Sequence, residues 1–409
     1  MKARATRVVF LVHLVEAWDS CHDVFWSMQS SSDFEPIVVS IPRQFPGATD
    51  LGFEEEVHQG LEREKIPHLR LPPHEVEHAL KLIRRLEPDV IIRQSQWDQI
   101  PAALCGDRLR FARACLIPYE TVNIVRNVPN LPFAGSANSA VDSPYHRRAW
   151  VVFCANDMML SMARRESVRR GVQFRVVGHP KVDRLRAASP EWPLASRGSS
   201  RRRIAWSAHH SIGTNWTNFG AFPQMAADML DWARLERDTE FVFLPHPVLI
   251  DFTNTPESPM RRADFDTWRA AWRALPNTGE CVGGGYMSVL AASDLLITDG
   301  LSLLVEYQVL HRPLIFFERD DHRPFNAIGE IVRRGAHTVR SVDEARAKAE
   351  HLLNAGEDPL APRQQEIVER LFGHTPSAPR IMSTLREMIA ADHSVKRSRL
   401  WSRRRSSRD

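Results

Sequence analysis

Five cysteines, Cys21, Cys105, Cys115, Cys154 and Cys281, are all that this 409-residue chain contains, and they are scattered with no CxxC pair. That excludes a disulfide framework and a thiolate zinc site and predicts a reducing, cytoplasmic setting. Long apolar runs are missing too. The first extends only from Val8 to Val12 before His13 interrupts it, too short for a secretory leader, and nothing later approaches the ~20 residues of a membrane span. No His/Asp/Glu set has metal spacing and Asp320-Asp321 is not a DxD motif, so the expected chemistry uses no metal and no cofactor. Internal repeats are lacking, and neither a phosphate-loop lysine nor a Ser/Thr follows Gly283-Gly284-Gly285 at the required spacing, which leaves that run a plain turn.

What is there is ordinary globular protein, 43% hydrophobic and 25% charged, long enough for about two or three domains. Its formal charge of +4 is uneven. Residues 396–409 carry seven basic groups and one acidic, so the tail holds +6 and the remainder sums to −2. With Leu400 and Trp401 embedded in it, the tail reads equally as a disordered solubilising end or as a contact for anionic lipid on the inner face of the plasma membrane, at about 1 kcal/mol per basic residue. No basic, aromatic-interleaved face recurs in the body, so nucleic acid is not an expected partner.

In order along the chain, short apolar runs alternate with helical periodicity. Strands are expected at 7–12, 36–41, 88–93, 112–117, 150–154 and 174–177, with helices opening at Val24 and spanning 54–64 and 74–86. Periodicity vanishes over 184–203, where Pro190, Pro193 and the string RGSSRRR mark an interdomain linker. It restarts with strands at 204–206, 241–244, 294–298 and 314–317, among helices at 222–237, 265–274, 286–292, 302–310, 341–353 and 362–371. Such alternation implies α/β architecture, parallel sheets with helices on both faces. The expected organisation is a first domain over 1–183, the linker, a second domain over 204–375, a terminal helix at 376–395 and the basic tail.

Three strands of the second half run into unusual polar residues: Ser207-Ala208-His209-His210-Ser211, Pro245-His246-Pro247, and Asp299-Gly300-Leu301-Ser302. In a parallel sheet these are all carboxyl ends, so the three loops project from one edge. Imidazoles, hydroxyls and a helix N-terminus converging there suit a diphosphate held without metal. Ser302 and Glu306 share a helix face, so an anion and a hydroxylated group can be held side by side. The plainer readings are that Ser302 caps its helix, that Glu306 faces water, that His246 sits in a rigid turn, and that His209 and His210 are half buried.

Gly178-His179-Pro180-Lys181-Val182-Asp183, the Trp206–Ser211 string, Leu244-Pro245-His246-Pro247, and Ser293 to Asp299 with Ser302, Glu306 and Tyr307 form an ordered set. Over roughly residues 90–330 the chain resembles the CDP-glycerol glycerophosphotransferases, and most nearly a branch with an Ile-Pro-Tyr segment, here Ile117-Pro118-Tyr119. The resemblance implies a GT-B fold, two Rossmann-like domains facing each other across a cleft, the donor held mainly by the second. It implies transfer of a glycerol phosphate or similar polyol phosphate from a CDP-linked donor to a teichoic-acid-like or capsular polymer, the polyol-phosphate or polysaccharide acceptor being free or lipid-linked.

Carried over position by position, the resemblance implies that His209, Ser211 and His246 contact the donor diphosphate, with Thr298, Asp299 and Ser302 in the same site and Glu306 on the ribose hydroxyls. Preorganised donors of this kind stabilise a leaving nucleotide, which makes His246 a catalytic candidate. His13, Trp18, Asp19 and Tyr119 fall on the acceptor side. Better-known members carry Trp-His-Gly near the place where this chain has Pro118-Tyr119-Glu120; that histidine is missing, and Glu120 becomes the candidate general base, with Asp19 and His13 as rivals. Gly300 and Leu301 also replace the tyrosine and first serine of the usual Tyr-Ser-Ser, and His179 reads as structural.

Two other readings stand. A GT-B glycosyltransferase using a nucleotide sugar would show an acidic pair near the diphosphate, for which Glu318 and Asp320 are available. A catalytically idle homologue, binding polymer or membrane through its tail, would show His209, His246 and Ser302 far apart.

Overall fold

The computed structural model describes residues 4–44, 50–126, 138–194, 202–213 and 217–405, with side chains as far as Asp392. Two wholly parallel sheets organise it. Across the first lie His68–Arg70, Phe34–Ser40, Thr6–Val12, Val90–Arg93, Arg113–Leu116, Val151–Cys154 and Phe174–Val176. Across the second lie Thr278–Glu280, Thr239–Pro245, Arg202–Ala208, Leu295–Thr298, Leu314–Phe317 and His337–Val339. Numbered within each half, both sheets begin 3-2-1-4-5-6, the doubly wound order of nucleotide-binding domains, which opens a crevice where the order reverses.

Both faces of each sheet are covered, which is why the strands read as continuous apolar runs. Val8, Phe10 and Val12 point into one core and Val9 and Leu11 into the opposite one. In the second half Ile204, Trp206 and Ala208 face an aromatic cluster of Phe222, Phe243, Trp268 and Trp272, with Trp206 stacked on Phe222 at 5.7 Å between ring centroids. The strands that hydropathy did not announce, 68–70, 278–280 and 337–339, have three residues each and lie at sheet edges, where too few side chains are buried to leave a pattern.

The expected linker begins inside a helix, Pro180–Arg186, and part of it, 195–201, falls outside the described residues. The terminal helix, Ser377–Arg405, returns to the first half: Ala378, Ile381, Met382 and Leu385 pack with Val8 and Phe10, and Arg386 pairs with Asp33 at 2.8 Å. The backbone of the basic tail continues this helix to Arg405; its side chains and residues 406–409 lie outside the described residues. Among the described residues no helix is long and apolar enough to cross a membrane.

The halves are joined along a strap. Val125 forms an antiparallel bridge to Phe325, and Asn326 donates from Nδ2 to the Asn123 carbonyl at 2.9 Å and its side-chain oxygen at 3.0 Å. Gly329 is required here because a Cβ would stand 2.2 Å from the Ile124 carbonyl oxygen. Elsewhere on the seam, Arg63 of the first half donates to the Gly283 carbonyl at 2.9 Å, and Gly283, Gly284 and Gly285 all have positive φ, a turn as expected.

Candidate active site

Strands 202–208 and 239–245 are neighbours in register, Ala208 opposite Pro245, so the residues that follow both strands emerge side by side. Three imidazoles meet there. The His210 ring lies 4.3 Å from His209 and 4.3 Å from His246, and His209 and His246 are 5.4 Å apart. The sequence gives the reason: each apolar strand ends in a turn whose first polar residue is a histidine at the crevice edge.

Local hydrogen bonds set the tautomers. His246 caps helix Pro247–Phe252, Nδ1 accepting the Val248 N–H at 3.2 Å. His209 Nδ1 accepts the Ser211 N–H at 3.2 Å and lies 2.7 Å from the Ser211 hydroxyl, which in turn accepts the N–H groups of Phe219 and Gly220 and so donates to the ring. With Nδ1 accepting, the hydrogen of each neutral ring resides on Nε2. Burial holds His209 and His246 well below the ordinary histidine range, and burial lowers His210 to about 4. At neutral pH the cluster therefore presents neutral N–H donors. His210 keeps a buried Nδ1 with no partner among the described residues.

The residues beneath the trio do other work than the resemblance implied. Ser211 is fully buried and its hydroxyl is spent on the loop, so it orients His209 rather than meeting a ligand. Asp299 is also fully buried: its carboxylate accepts the His209 N–H at 2.7 Å and the Ala221 N–H at 2.5 Å, tying the loop to the neighbouring strand, while burial pushes its pKa up to about 7. Thr298 is buried, its hydroxyl accepting the Gly300 N–H at 2.9 Å. All three are supports, because none has a face open to the cleft. Ser302 differs. Helix Leu301–Glu306 is capped by Gly300, without any side-chain bond, so Ser302 is not its cap; its side chain is exposed at the helix start. Gly300 has an ordinary φ of −95° and sits in a tight turn: a Cβ would lie 3.3 Å from the Thr298 hydroxyl oxygen and 3.8 Å from His209 Cδ2, so this turn packs against the trio.

Glu306 does not face water, nor is it open to a ribose. It is 1% exposed, with Oε1 2.8 Å from Lys181 Nζ and Oε2 accepting the Tyr286 hydroxyl at 3.1 Å. Lys181 follows His179-Pro180, where His179 caps Pro180–Arg186 through Nδ1 and reaches the Pro118 carbonyl with Nε2 at 2.9 Å, a structural role as expected. The same His-Pro device thus starts a short helix in each half.

On the first half, Glu120 is half-buried beside the Pro118–Tyr119 turn. Burial raises its carboxyl to about 7, against a hydrogen bond from Asn123 and the Lys181 charge. The Lys181 charge also acts on His246, and its Nζ lies 3.4 Å from the Tyr119 carbonyl oxygen. Tyr119 is half-buried, its phenol raised to about 12 by burial and the Glu120 charge. The other acceptor-side expectations fail. Trp18 is 1% exposed in the aromatic core with Phe10 and Phe25, beyond any ligand's reach. Asp19 is paired with Arg184 at 2.6 Å. His13 is buried against Ser95 at 3.1 Å, and burial with Arg93 and Arg43 lowers it to about 3, too weak a base for neutral pH. Glu318 is held by Arg340 at 3.2 Å and Arg333 at 3.7 Å, and Asp320 by Arg340 at 2.9 Å, so this acidic pair is occupied.

Sequence reasoning missed His210 as a member of the trio, Lys181 and Tyr286 as partners of Glu306, and Arg43. Lys181 lies inside the Gly178–Asp183 string, but 125 residues separate it from Glu306, and no local pattern announces such a pairing. Among the described residues no group of three or more His, Cys, Asp or Glu side chains is arranged to hold a metal ion.

No family model and no curated protein sequence matches the chain. Solved structures do. It is similar to Staphylococcus aureus MnaA in a UDP co-structure (TM-score 0.61, 12% identity, 94% of this chain and 97% of that one). It is similar to UDP-GlcNAc 2-epimerase from Neisseria meningitidis bound to UDP-GlcNAc (0.60, 12%, 93% and 100%). It is also similar to the wall teichoic acid polymerase TagF (0.60, 13%, 96% and 90%), one of whose structures was soaked with CDPG. Likeness at this identity is likeness of fold: the chain has the GT-B fold, two Rossmann-like domains facing each other across a cleft.

Proposed function

We propose that the protein transfers a polyol phosphate, glycerol phosphate foremost, from a cytidine diphosphate donor to a hydroxyl of a polyol-phosphate or polysaccharide acceptor. The observation that carries this reading is a pair within the trio: His209 and His246, 5.4 Å apart at one sheet edge, each with Nδ1 accepting a backbone N–H and its proton therefore on Nε2. Such groups suit an anion whose charge grows as a nucleotide leaves. The ordered strings that resemble the glycerophosphotransferases, and the fold shared with TagF, support cytidine and polyol over other donors.

In this reading the donor diphosphate lies on His209 and His246 with Ser302 at its side. An acceptor hydroxyl attacks the phosphorus bearing the polyol. Glu120 takes the hydroxyl proton, the new P–O bond forms, and the bond to the CMP oxygen breaks. His209 and His246 donate hydrogen bonds to the departing CMP phosphate. Neutral imidazoles are what burial provides, and they gain most when facing a dianion in a water-poor cleft. The occupied state of Glu318 and Asp320 weighs against sugar recognition at that pair, and the convergence of three histidines weighs against an idle homologue.

The test is isothermal titration with CDP-glycerol, CDP-ribitol, UDP-glucose and UDP-GlcNAc, repeated with EDTA and on a His246→Ala variant. Cytidine donors should bind with or without EDTA, at least tenfold more weakly to the variant, about 1.4 kcal/mol. Preference for a UDP-sugar would move the protein to nucleotide-sugar chemistry, and absence of any nucleotide binding would remove the enzymatic reading.

A further inference from the structure

Only two arginines are buried among the described residues, and they are treated differently. Arg93, 1% exposed, donates to Asp98 at 2.9 Å and to the Trp97 carbonyl. Arg43, 9% exposed, makes no side-chain hydrogen bond and no ion pair with any described residue; its guanidinium lies over the Phe53 ring, 4.5 Å from the centroid. An arginine carries five N–H donors in a rigid fork, and no nitrogen of Arg43 is both fully enclosed and unpartnered, so the fork keeps a solvent-accessible face that an anion can reach. Stacking on Phe53 fixes the plane of the fork and satisfies none of its donors.

Its position gives the missing acceptor a place. Arg43 begins the two-residue strand Arg43–Gln44, paired with Leu51–Gly52, just beyond the carboxyl end of Phe34–Ser40, at the ligand edge of the first sheet. The charges that act on it come from both halves without touching it: Glu16, Glu56 and Tyr119 from the first, Asp251 from the second. Asp251 belongs to helix Pro247–Phe252, which His246 caps, and the Arg43 charge in turn lowers His246. The fork therefore lies at the ligand edge of the first sheet, within electrostatic range of Tyr119 on its own half and of Asp251 and His246 on the other.

We propose that Arg43 anchors the acceptor by a phosphate: its guanidinium takes two oxygens of a phosphate ester, and a hydroxyl of the same acceptor is thereby presented to Glu120. This rests on the reading of the cleft as a phosphotransfer site. It also accounts for how an anionic acceptor is received although Glu16, Glu56 and Asp251 act on the same region, since a bidentate arginine–phosphate pair supplies both the charge and the orientation. The phosphate has two chemical sources, the terminal monoester of a short polyol phosphate and an internal phosphodiester of a polymer.

The experiment titrates the whole chain, saturated with CMP, with sn-glycerol 3-phosphate and separately with glycerophosphoglycerol, then repeats both on Arg43→Gln. Binding by the wild type, at least tenfold weaker in the variant while CMP affinity stays within twofold, is the expected result, and the tighter probe identifies monoester or diester as the source. Equal binding by the variant, or no binding of either probe by the wild type, overturns the proposal. Equal losses for CMP and probe overturn the acceptor assignment and put Arg43 on the donor. If CMP itself does not bind, the phosphotransferase reading fails, and titration of the nucleotide-free protein still decides Arg43. Should Arg43→Gln not fold, phenylglyoxal labelling of the unmodified chain, read by mass spectrometry, replaces it: glycerol 3-phosphate must shield Arg43, and unchanged labelling refutes the anchor.

Discussion

Lys181 Nζ lies 2.8 Å from Glu306 Oε1, and the two side chains, only 8% and 2% exposed, join helix Pro180–Arg186 of the first half to helix Leu301–Glu306 of the second. The Tyr286 hydroxyl completes the triad from a third helix, Tyr286–Ala292, 3.1 Å from the other carboxylate oxygen. Removing one partner of such a pair strands a buried charge, whereas removing both need cost little. Lys181→Met should lower the unfolding free energy by about 3–5 kcal/mol, and Lys181→Met with Glu306→Met should recover most of that. Urea denaturation of the double-mutant cycle measures it; strictly additive losses would show that the pair is not coupled.

The Asp299 carboxylate holds two backbone N–H groups, those of His209 and Ala221, from beneath the trio. Asp299→Ala leaves both donors buried without acceptors, which should cost about 2–4 kcal/mol of stability. Because His209 loses its anchor, donor affinity should fall as well. A variant that melts early yet binds donor as tightly as the wild type, by titration below its melting temperature, would separate the loop from the site.

Glu120, raised to about 7 by burial, is protonated at lower pH and cannot then accept a proton. Turnover should fall about tenfold per pH unit below that value in the wild type. Glu120→Gln should lower turnover by about 10²–10⁴ and abolish the acidic limb. A limb that survives the substitution would assign the base elsewhere.

Acid should destabilise the fold through its buried imidazoles. His13, His146 and His179 are lowered to about 3 and His210 to about 4, and His209 and His246 are lowered as well, all first by burial. Unfolded histidines titrate near ~6.5, so between these values the unfolded chain binds more protons, and stability present above about 6.5 is lost as pH falls. A histidine at about 3 accounts for roughly 2 kcal/mol of loss at pH 5. Glu120 and Asp299, both raised to about 7, act in the opposite sense, gaining stability as pH falls below 7, but six imidazoles outnumber them. Melting temperatures should drop steeply from pH 6.5 to 5, and less so in His179→Asn, which keeps a capping oxygen and loses the proton site. A flat profile would contradict the buried neutral state.

Much of the site's location was legible because it is local. A strand that runs apolar to its end and then into His209, or into His246, carries its own address, and parallel topology does the rest. The turns after Trp206, Leu244 and Thr298 could be put at one edge from hydropathy alone, and the structure brings His209, His210 and His246 together there. Which neighbours of those histidines touch a ligand was not legible. Ser211, Thr298 and Asp299 have the right chemistry at the right places, yet their hydroxyls and carboxylate are consumed by backbone N–H groups that a tight turn leaves without other partners.

Tertiary structure alone decided the rest. Trp18, expected on the acceptor side, proved to be core, because a large ring near strand Thr6–Val12 gains more against Phe10 and Phe25 than in a cleft. Glu306 proved to be tied to a lysine 125 residues away, and the Arg43 guanidinium proved to be buried over the Phe53 ring with no hydrogen bond or ion pair among the described residues. Local sequence thus carries the alternation of strand and helix, the two-domain α/β class and the edge at which chemistry gathers, since these depend on near neighbours along the chain. Which charges are paired and which are buried among the described residues without an ion-pair partner depends on how two sheets face each other, and that is a property of the fold as a whole.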